Sequence, residues 1–279
     1  MERKIKIVTD SASDVLGING IAFQSAPLKI ITSEREFMDN ADLDVNEMAS
    51  FLRGYKGRSS TSCPNVDDWL SAFGDAEEVY AVTITGSLSG SNNTANIAAE
   101  TYMEENPGRK VFVLDSLSTG PEMGLIIDKL CELVGAGESF ESIGEKIEEY
   151  RQRTGLLFVL ESMKNLANNG RVSPVAAKMA GLLGIRALGK ASDRGELEML
   201  DKCRGEKKTL ETITVRLREL GLVSGKVKIG HCCNLPLGQT LKALVESEFP
   251  GSTAELYQCR GLCTFYAEMG GILVGFEKG

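Results

Sequence analysis

Residues 4–10 read KIKIVTD, and this stretch decides the fold class because its pattern returns twice. It is a run of β-forming side chains that ends in polar residues, which is typical of a buried strand and the turn after it. Residues 79–85, VYAVTIT, and residues 111–115, VFVLD, repeat the pattern. Helical patterns lie between and after these copies. Strands that alternate with helices predict parallel pairing and a sheet covered on both faces.

The helix before the second strand has a start signal of its own. Asn65 is a predicted N-cap, because a short polar side chain can accept a backbone N–H of the first turn. Asp67 and Asp68 follow it, where the helix dipole favours negative charge. Residues 92–105 and 121–134 are also predicted to be helical, with apolar side chains at helical spacing in the second of them.

A second pattern starts near residue 154 and mixes hairpins with crossovers. A strand is predicted at 156–160, a helix of small residues at 174–183, and a hairpin turn at Asp193-Arg194-Gly195. The other predicted elements are a helix at 206–220, a strand at 226–230, a helix at 238–249, and strands at 255–259 and 272–276. We therefore expect an α/β protein. Its N-terminal parallel-sheet (Rossmann-like) domain would cover residues 1–155, and a C-terminal α/β domain with a mixed sheet would cover residues 156–279.

Charge and composition exclude several function classes. The 279 residues carry a net charge of −8, which argues against nucleic acid and against an anionic membrane surface. No apolar run approaches the ~20 residues of a membrane span, and the N-terminal apolar stretch is too short for a signal peptide. An odd count of seven cysteines fits free thiols in a reducing compartment. We therefore expect a cytoplasmic location and no stable membrane insertion.

The single histidine, His231, limits the possible chemistry. It excludes a His-rich metal site, and no cysteine pair has the C-x-x-C form of a zinc site. The run GSLSG at 86–90 resembles a nucleophile elbow but has Leu88 where the serine must be. A packed or solvent-facing histidine is favoured over a catalytic one. We expect no metal and no catalytic residue.

Serine-rich loops follow all three N-terminal strands. They read DSAS at 10–13, TGSLSGS at 85–91 and DSLSTG at 115–120, and a fourth polar run, SSTS, occupies 59–62. Because ligands of parallel sheets bind where such loops converge, their hydroxyls and N–H groups suit an anion. The three strand-end loops contain no Lys or Arg, which favours a single carboxylate over a polyphosphate. Simple helix capping by these side chains is an equally weighted alternative.

Five stretches in order resemble the motifs of the DegV family: KIVTDSASDV at 6–15, TSCP at 61–64, SLSGSNNTA at 87–95, VLDSLSTG at 113–120 and NNGRVSP at 168–174. The resemblance covers essentially the whole chain. It implies a bacterial fatty-acid-binding protein of two α/β domains, with the acyl chain in a tunnel between them. Family members called FakB present the bound acid to a separate fatty acid kinase, FakA. That kinase makes an acyl phosphate for phospholipid synthesis, and the binding protein performs no chemistry.

The resemblance also implies which residues bind the carboxylate. The family's carboxylate-binding threonine falls on Thr61, and the serine of its LSG motif falls on Ser89. Ser62, Gly90 and Ser91 lie beside them, and backbone N–H donation from this loop is expected.

Further family positions fall on residues of the second half or depart from the family pattern. The motif arginine near the carboxylate end and the kinase-docking surface falls on Arg171. The usual glutamine of the TSQP motif is Cys63 here. Tyr266 stands in a loop where the family often has a histidine, and it would keep one phenolic donor.

The resemblance implies a long-chain fatty acid such as palmitate as ligand, a FakA-like kinase as partner, and no cofactor. Two alternatives stay open. One is a domain or subunit of a dihydroxyacetone-type kinase, which would need His231 to hold its substrate. The other is a sensor of small acids that acts without a kinase.

Overall fold

The computed structural model describes residues 4–173 and 184–279. Its strands are β1 (Ile5–Asp10), β2 (Ala22–Ala26), β3 (Lys29–Ile31), β4 (Glu36–Met38), β5 (Ser60–Ser62), β6 (Glu78–Thr83), β7 (Lys110–Asp115), β8 (Thr154–Leu160), β9 (Ile185–Ala191), β10 (Leu197–Arg204), β11 (Lys226–His231), β12 (Thr253–Gln258) and β13 (Ile272–Glu277). Its helices are α1 (Val45–Gly54), α2 (Val66–Phe73), α3 (Ser91–Glu105), α4 (Pro121–Gly135), α5 (Phe140–Gln152), α6 (Lys164–Asn168), α7 (Glu206–Glu219), α8 (Leu235–Glu248) and α9 (Gly261–Ala267).

Three sheets organise the chain. The first has four parallel strands in the order β2-β1-β6-β7. The second has six strands in the order β10-β9-β8-β13-β11-β12, and only β11 and β12 pair in parallel. These sheets confirm the predicted α/β class, with a parallel sheet first and a mixed sheet second. A small antiparallel sheet, β4-β3-β5, was not predicted.

Helices cover both faces of the first sheet, as parallel pairing requires. Trp69 and Phe73 of α2 pack with Tyr102 of α3 on one face. Ile126 of α4 and Ile147 of α5 are buried on the other. The predicted N-cap of α2 is present: Asn65 accepts the N–H of Asp68, and Asp68 accepts the N–H of Asn65, at 2.8 and 2.9 Å.

The two large sheets are tied together by helices that cross between them. Helix α4 also packs against β13 and β11 of the second sheet. A side chain at Gly275 in β13 would collide with the backbone of Pro121 and Glu122, so glycine permits this close approach. In the other direction, Phe265 of α9 is buried among Ile30, Met48 and their neighbours in the first half.

Most predicted elements of the second half are present with shifted ends. The hairpin of β9 and β10 turns at the predicted Asp193-Arg194-Gly195. Helix α8 begins at Leu235, before the predicted start at 238, because Pro236 is compatible with the first helical turn. The predicted helix at 174–183 lies outside the described residues. Residue 155 falls inside β8, and the two-domain division stays a prediction. None of the helices in 4–173 and 184–279 is both long and apolar enough to cross a membrane.

Candidate functional site

A cavity of about 290 Å³ lies between the loops at the carboxyl edge of the first sheet and one face of the second sheet. Its wall is mainly apolar. The apolar side chains are Leu28, Ile84, Leu88, Leu117, Leu156, Phe158, Leu160, Leu166, Ala191, Leu197, Leu262, Ala267 and Leu273. The structure brings six of the seven predicted site residues to this wall: Thr61, Ser62, Ser89, Gly90, Arg171 and Tyr266.

The hydroxyls of Thr61 and Tyr266 meet across the two halves of the chain. Thr61 lies in β5 of the small sheet, and Tyr266 lies on α9. Their oxygens are 2.7 Å apart, and either can be the donor. Burial raises the pKa of Tyr266, so the phenol is a neutral hydrogen-bond donor at neutral pH. One of the two O–H groups is therefore free to donate to a ligand oxygen.

Ser89 and Ser91 face different ways although they are close in sequence. The Oγ of Ser89 accepts the backbone N–H of Ser91 at 3.3 Å, which leaves its own O–H available to a ligand in the cavity. The Oγ of Ser91 is buried and donates to Asp10 at 2.6 Å. Ser91 was predicted as a ligand-binding residue, but the structure does not bring it to the cavity wall, because its hydroxyl is committed to this carboxylate.

The buried carboxylate of Asp10 holds the serine-rich loop at 85–91, the serine loop, in place. Its carboxylate accepts the N–H groups of Ala12 at 3.2 Å and Ile84 at 2.9 Å, besides the hydroxyl of Ser91. Burial raises the pKa of Asp10 to about 7, and these three hydrogen bonds oppose the shift. Asp10 thus links the ends of β1 and β6 to the start of α3, which follows the serine loop.

Several serines in these loops only stabilise the backbone. The Oγ of Ser11 accepts the N–H of Leu28, and the Oγ of Ser13 accepts the N–H of Val15. These two contacts are not helix caps: the cap in the first loop is Asp10, which accepts the N–H of Ala12 in the short 3-10 helix Ser11–Ser13. The second loop differs, since Ser89 and Gly90 lie at the cavity wall.

A cation reaches the site from the second half of the chain. The Nε of Arg171 donates to the carbonyl of Leu88 at 3.2 Å, and another guanidinium nitrogen donates to the carbonyl of Asn169. The guanidinium lies 5.9 Å from the centre of the Tyr266 ring. The strand-end loops lack Lys and Arg, so Arg171 supplies positive charge where the hydroxyls are.

The cysteines at the cavity are poor nucleophiles. Cys63 and Cys263 both line the wall, and burial raises the pKa of each thiol. A thiol with a raised pKa stays protonated at neutral pH, and the thiolate is the reactive form. All seven cysteines are free, and no group of three metal-ligating side chains occurs within the described part of the chain.

A family model described as an uncharacterised protein of the DegV family matches residues 4–278. The chain belongs to the DegV family. A DegV domain-containing protein of Streptococcus pneumoniae is 40% identical over 98% of both chains. Another, from Streptococcus gordonii, is 39% identical over 98% of this chain and 99% of its own.

Solved DegV structures are also similar. A DegV family protein from Eubacterium eligens, loaded with heptadecanoic acid, has a TM-score of 0.97 and 42% identity and covers 99% of this chain and 100% of its own. The Fatty Acid Kinase (Fak) B3 protein of Streptococcus pneumoniae, loaded with linoleic acid, has a TM-score of 0.97 and 39% identity at the same coverage.

Two buried carboxylates hold the DegV chain's α9 in place, and sequence reasoning missed both. Asp39 accepts the N–H groups of Gly261 and Leu262, each at 2.8 Å. Asp14 accepts the N–H of Arg260 at 2.8 Å. These bonds satisfy the first N–H groups of the helix that carries Tyr266. Asp14 lies in the stretch KIVTDSASDV, but nothing local marks either acid as a partner of α9, because more than 200 residues separate each acid from the N–H groups that it accepts.

His231 does not line the cavity. It is buried at the end of β11, and its Nδ1 accepts the N–H of Asn234 at 3.4 Å. His231 is therefore not among the described residues that line the cavity with Thr61 and Ser89. Of the packed and solvent-facing arrangements that the sequence left open, the packed one is found.

Burial lowers the pKa of His231 below 6.5, which gives a pH prediction. The unfolded chain binds the proton more readily, so the free energy of unfolding should decrease as pH falls through 6.5 toward the pKa of the folded state. A proton NMR titration of this single histidine should show a midpoint below 6.5. The His231→Gln variant should lack the matching change in stability, and a midpoint above 6.5 would contradict the prediction.

Proposed function

We propose that the protein binds a long-chain fatty acid such as palmitate, with its acyl chain in the cavity and its carboxylate at Thr61, Ser89 and Tyr266. The observation that carries this proposal is the distribution of polarity in the wall. Free hydroxyl donors and Arg171 cluster where α9 meets the serine loop, and leucines form most of the rest. The fatty acids bound by the Eubacterium and Streptococcus relatives support it.

The acyl chain and the carboxylate would contribute differently to the free energy of binding. Burying the acyl chain contributes about 0.8 kcal/mol per CH₂. The neutral donors would fix the position of the carboxylate. Removal of one donor from a buried hydrogen bond costs roughly 1–3 kcal/mol. Ser62 and the backbone of Gly90 would complete the donors on the side of the first sheet.

The head end suits presentation to another protein. Arg171 is half-buried, and Gly90 beside Ser89 is exposed. We therefore extend the proposal: a separate FakA-like fatty acid kinase docks at Arg171 and phosphorylates the carboxylate to an acyl phosphate, for phospholipid synthesis in the cytoplasm. The chain itself would perform no chemistry and use no cofactor. The name of the pneumococcal Fak B3 relative supports this partnership.

The test is calorimetry of delipidated protein with palmitate. Wild type should bind one palmitate. Thr61→Ala and Ser89→Ala should each weaken binding by roughly tenfold without abolishing it, because one donor to a carboxylate is lost. Ser71→Ala, at an exposed position on α2, is the matched control and should bind like wild type. Unchanged affinity in both cavity variants would overturn the carboxylate assignment.

The alternatives predict other results. A dihydroxyacetone-type kinase would phosphorylate a substrate alone, whereas we expect no acyl phosphate after incubation with ATP and Mg²⁺ without a partner kinase. A small-acid sensor would bind acetate or propionate as tightly as palmitate. Native mass spectrometry of the purified protein should instead show a bound mass of a long-chain fatty acid.

A further inference from the structure

The cavity has two distinguishable ends, and β8 runs from one to the other. Leu160, at the end of this strand, lines the wall together with Leu166 and Arg171. Leu156, four residues earlier, lines it as well. At about 3.3 Å per residue, these two positions are separated by roughly 13 Å. The cavity therefore extends along the strand, away from Arg171.

A polar pocket of about 360 Å³ lies beyond Leu156. It shares two wall residues with the cavity, Leu117 and Ala191. Its other walls include Glu122 and Thr154, the first residue of β8. The apolar cavity therefore borders polar side chains at the end far from Arg171.

Ser118 stands between these two spaces. It lines the apolar cavity, it is only 2% exposed, and its Oγ has no hydrogen-bond partner among the described residues. It lies near Glu122. Burial raises the pKa of Glu122, and the hydroxyls of Ser118 and Thr154 make that rise smaller. A buried hydroxyl without a partner is costly, so its presence at a cavity wall calls for an explanation.

The carboxyl group of Glu122 accepts a hydrogen bond from the start of β8. Thr154 donates to its Oε1 at 2.8 Å and is itself buried. The carboxyl group can accept further hydrogen bonds, because each oxygen has two lone pairs. Ser118 lines the apolar cavity, and Glu122 lines the polar pocket beside it. A ligand group at the border of the two spaces would meet the Ser118 hydroxyl as donor or acceptor, with the Glu122 carboxyl behind it as acceptor.

We propose that Ser118 and Glu122 form a second polar subsite, which binds a hydroxyl group near the distal end of the acyl chain. The ligands then include ω-hydroxy fatty acids. This inference rests on the proposed function and goes beyond it in naming a ligand class. A hydroxyl suits the site because it both donates and accepts. A second carboxylate suits it less well, because it would face the buried Glu122 carboxyl, and the nearby Arg151 and Lys278 offset burial of that acid only in part.

The test compares matched ligand pairs on delipidated wild-type protein. Each saturated fatty acid from decanoate to octadecanoate is paired with its ω-hydroxy form, and the ratio of the two dissociation constants is measured by calorimetry. In a wholly apolar pocket the hydroxyl would weaken binding by about tenfold or more at every length. We expect one chain length at which the hydroxy acid binds within about threefold of the plain acid.

Ser118→Ala is the decisive variant. Its Oγ lacks a hydrogen-bond partner of good geometry and interacts only weakly with the nearby Glu122 carboxyl, so its removal should change the unfolding free energy by less than about 1 kcal/mol. At the favoured length, the variant should bind the hydroxy acid about tenfold more weakly relative to the plain acid. Thr61→Ala, at the other end, should weaken both ligands alike. The dicarboxylic acid of the same length should bind at least tenfold more weakly than the hydroxy acid.

The results separate the two proposals. If no fatty acid binds, the proposed function fails. If plain acids bind but every hydroxy acid is tenfold weaker, or Ser118→Ala leaves the ratio unchanged, the subsite is overturned and the proposed function stands. Equal binding of the dicarboxylic acid would overturn the chemistry assigned to Glu122.

Discussion

Ala191→Trp is expected to weaken palmitate binding several-hundredfold and to leave decanoate binding within about threefold of wild type. Ala191 is the last residue of β9 and lines the cavity at the end far from Arg171. An indole there would occupy the space of about four or five CH₂ groups of a long chain. At ~0.8 kcal/mol for each, the loss is about 3–4 kcal/mol.

The measurement is the ratio of the two dissociation constants, obtained by calorimetry on delipidated protein. Ala136→Trp is the matched control, because Ala136 is exposed after α4 and does not line the cavity. If the indole at 191 weakens both acids equally, the acyl chain does not extend toward this end. Unchanged palmitate binding would contradict the placement of the chain.

Asp39→Ala should lower the free energy of unfolding by about 3–5 kcal/mol. The side chain is 2% exposed and accepts two backbone N–H groups at the start of α9. Without it, both groups are left buried and unpaired, and each such group costs about 1–3 kcal/mol. Urea unfolding monitored by circular dichroism measures the loss.

Two variants make this expectation specific. Asp39→Asn keeps one acceptor oxygen and should cost about half as much. Asp42→Ala removes an exposed carboxylate a few residues away and should change stability by less than about 0.5 kcal/mol. Palmitate affinity of Asp39→Ala should also fall, because Tyr266 lies on the helix that is released. Stability equal to that of Asp42→Ala would show that α9 does not depend on this acid.

The large elements could be predicted because their signals are local. The strand before Asp10 and the cap at Asn65 each depend on a few neighbouring residues. The small sheet that carries Thr61 was missed, because strands of three residues contain too little pattern to detect. Its backbone pairing with β3 comes from distant contacts.

In the candidate site, too, local sequence signals and distant contacts have to be distinguished. Thr61, Ser89 and Arg171 could be named only through the resemblance to a family, since serine-rich loops also serve as caps. Ser91 illustrates the difficulty: its position in the loop suggested a ligand, and a buried Asp10, 81 residues away, determines its direction. Ser118 lies in the DSLSTG run at 115–120, but only the structure shows that its hydroxyl lacks a hydrogen-bond partner of good geometry.

The place of β13 in the second sheet has a consequence for biosynthesis. This strand pairs with β8 on one side and β11 on the other, and both are made before it. During translation, those two strands therefore wait with open edges until residues 272–277 leave the ribosome, and such edges are prone to pairing with other chains. The nascent protein should depend on chaperones at this stage, and deleting the last strand should produce aggregation rather than a folded N-terminal half with a loose tail.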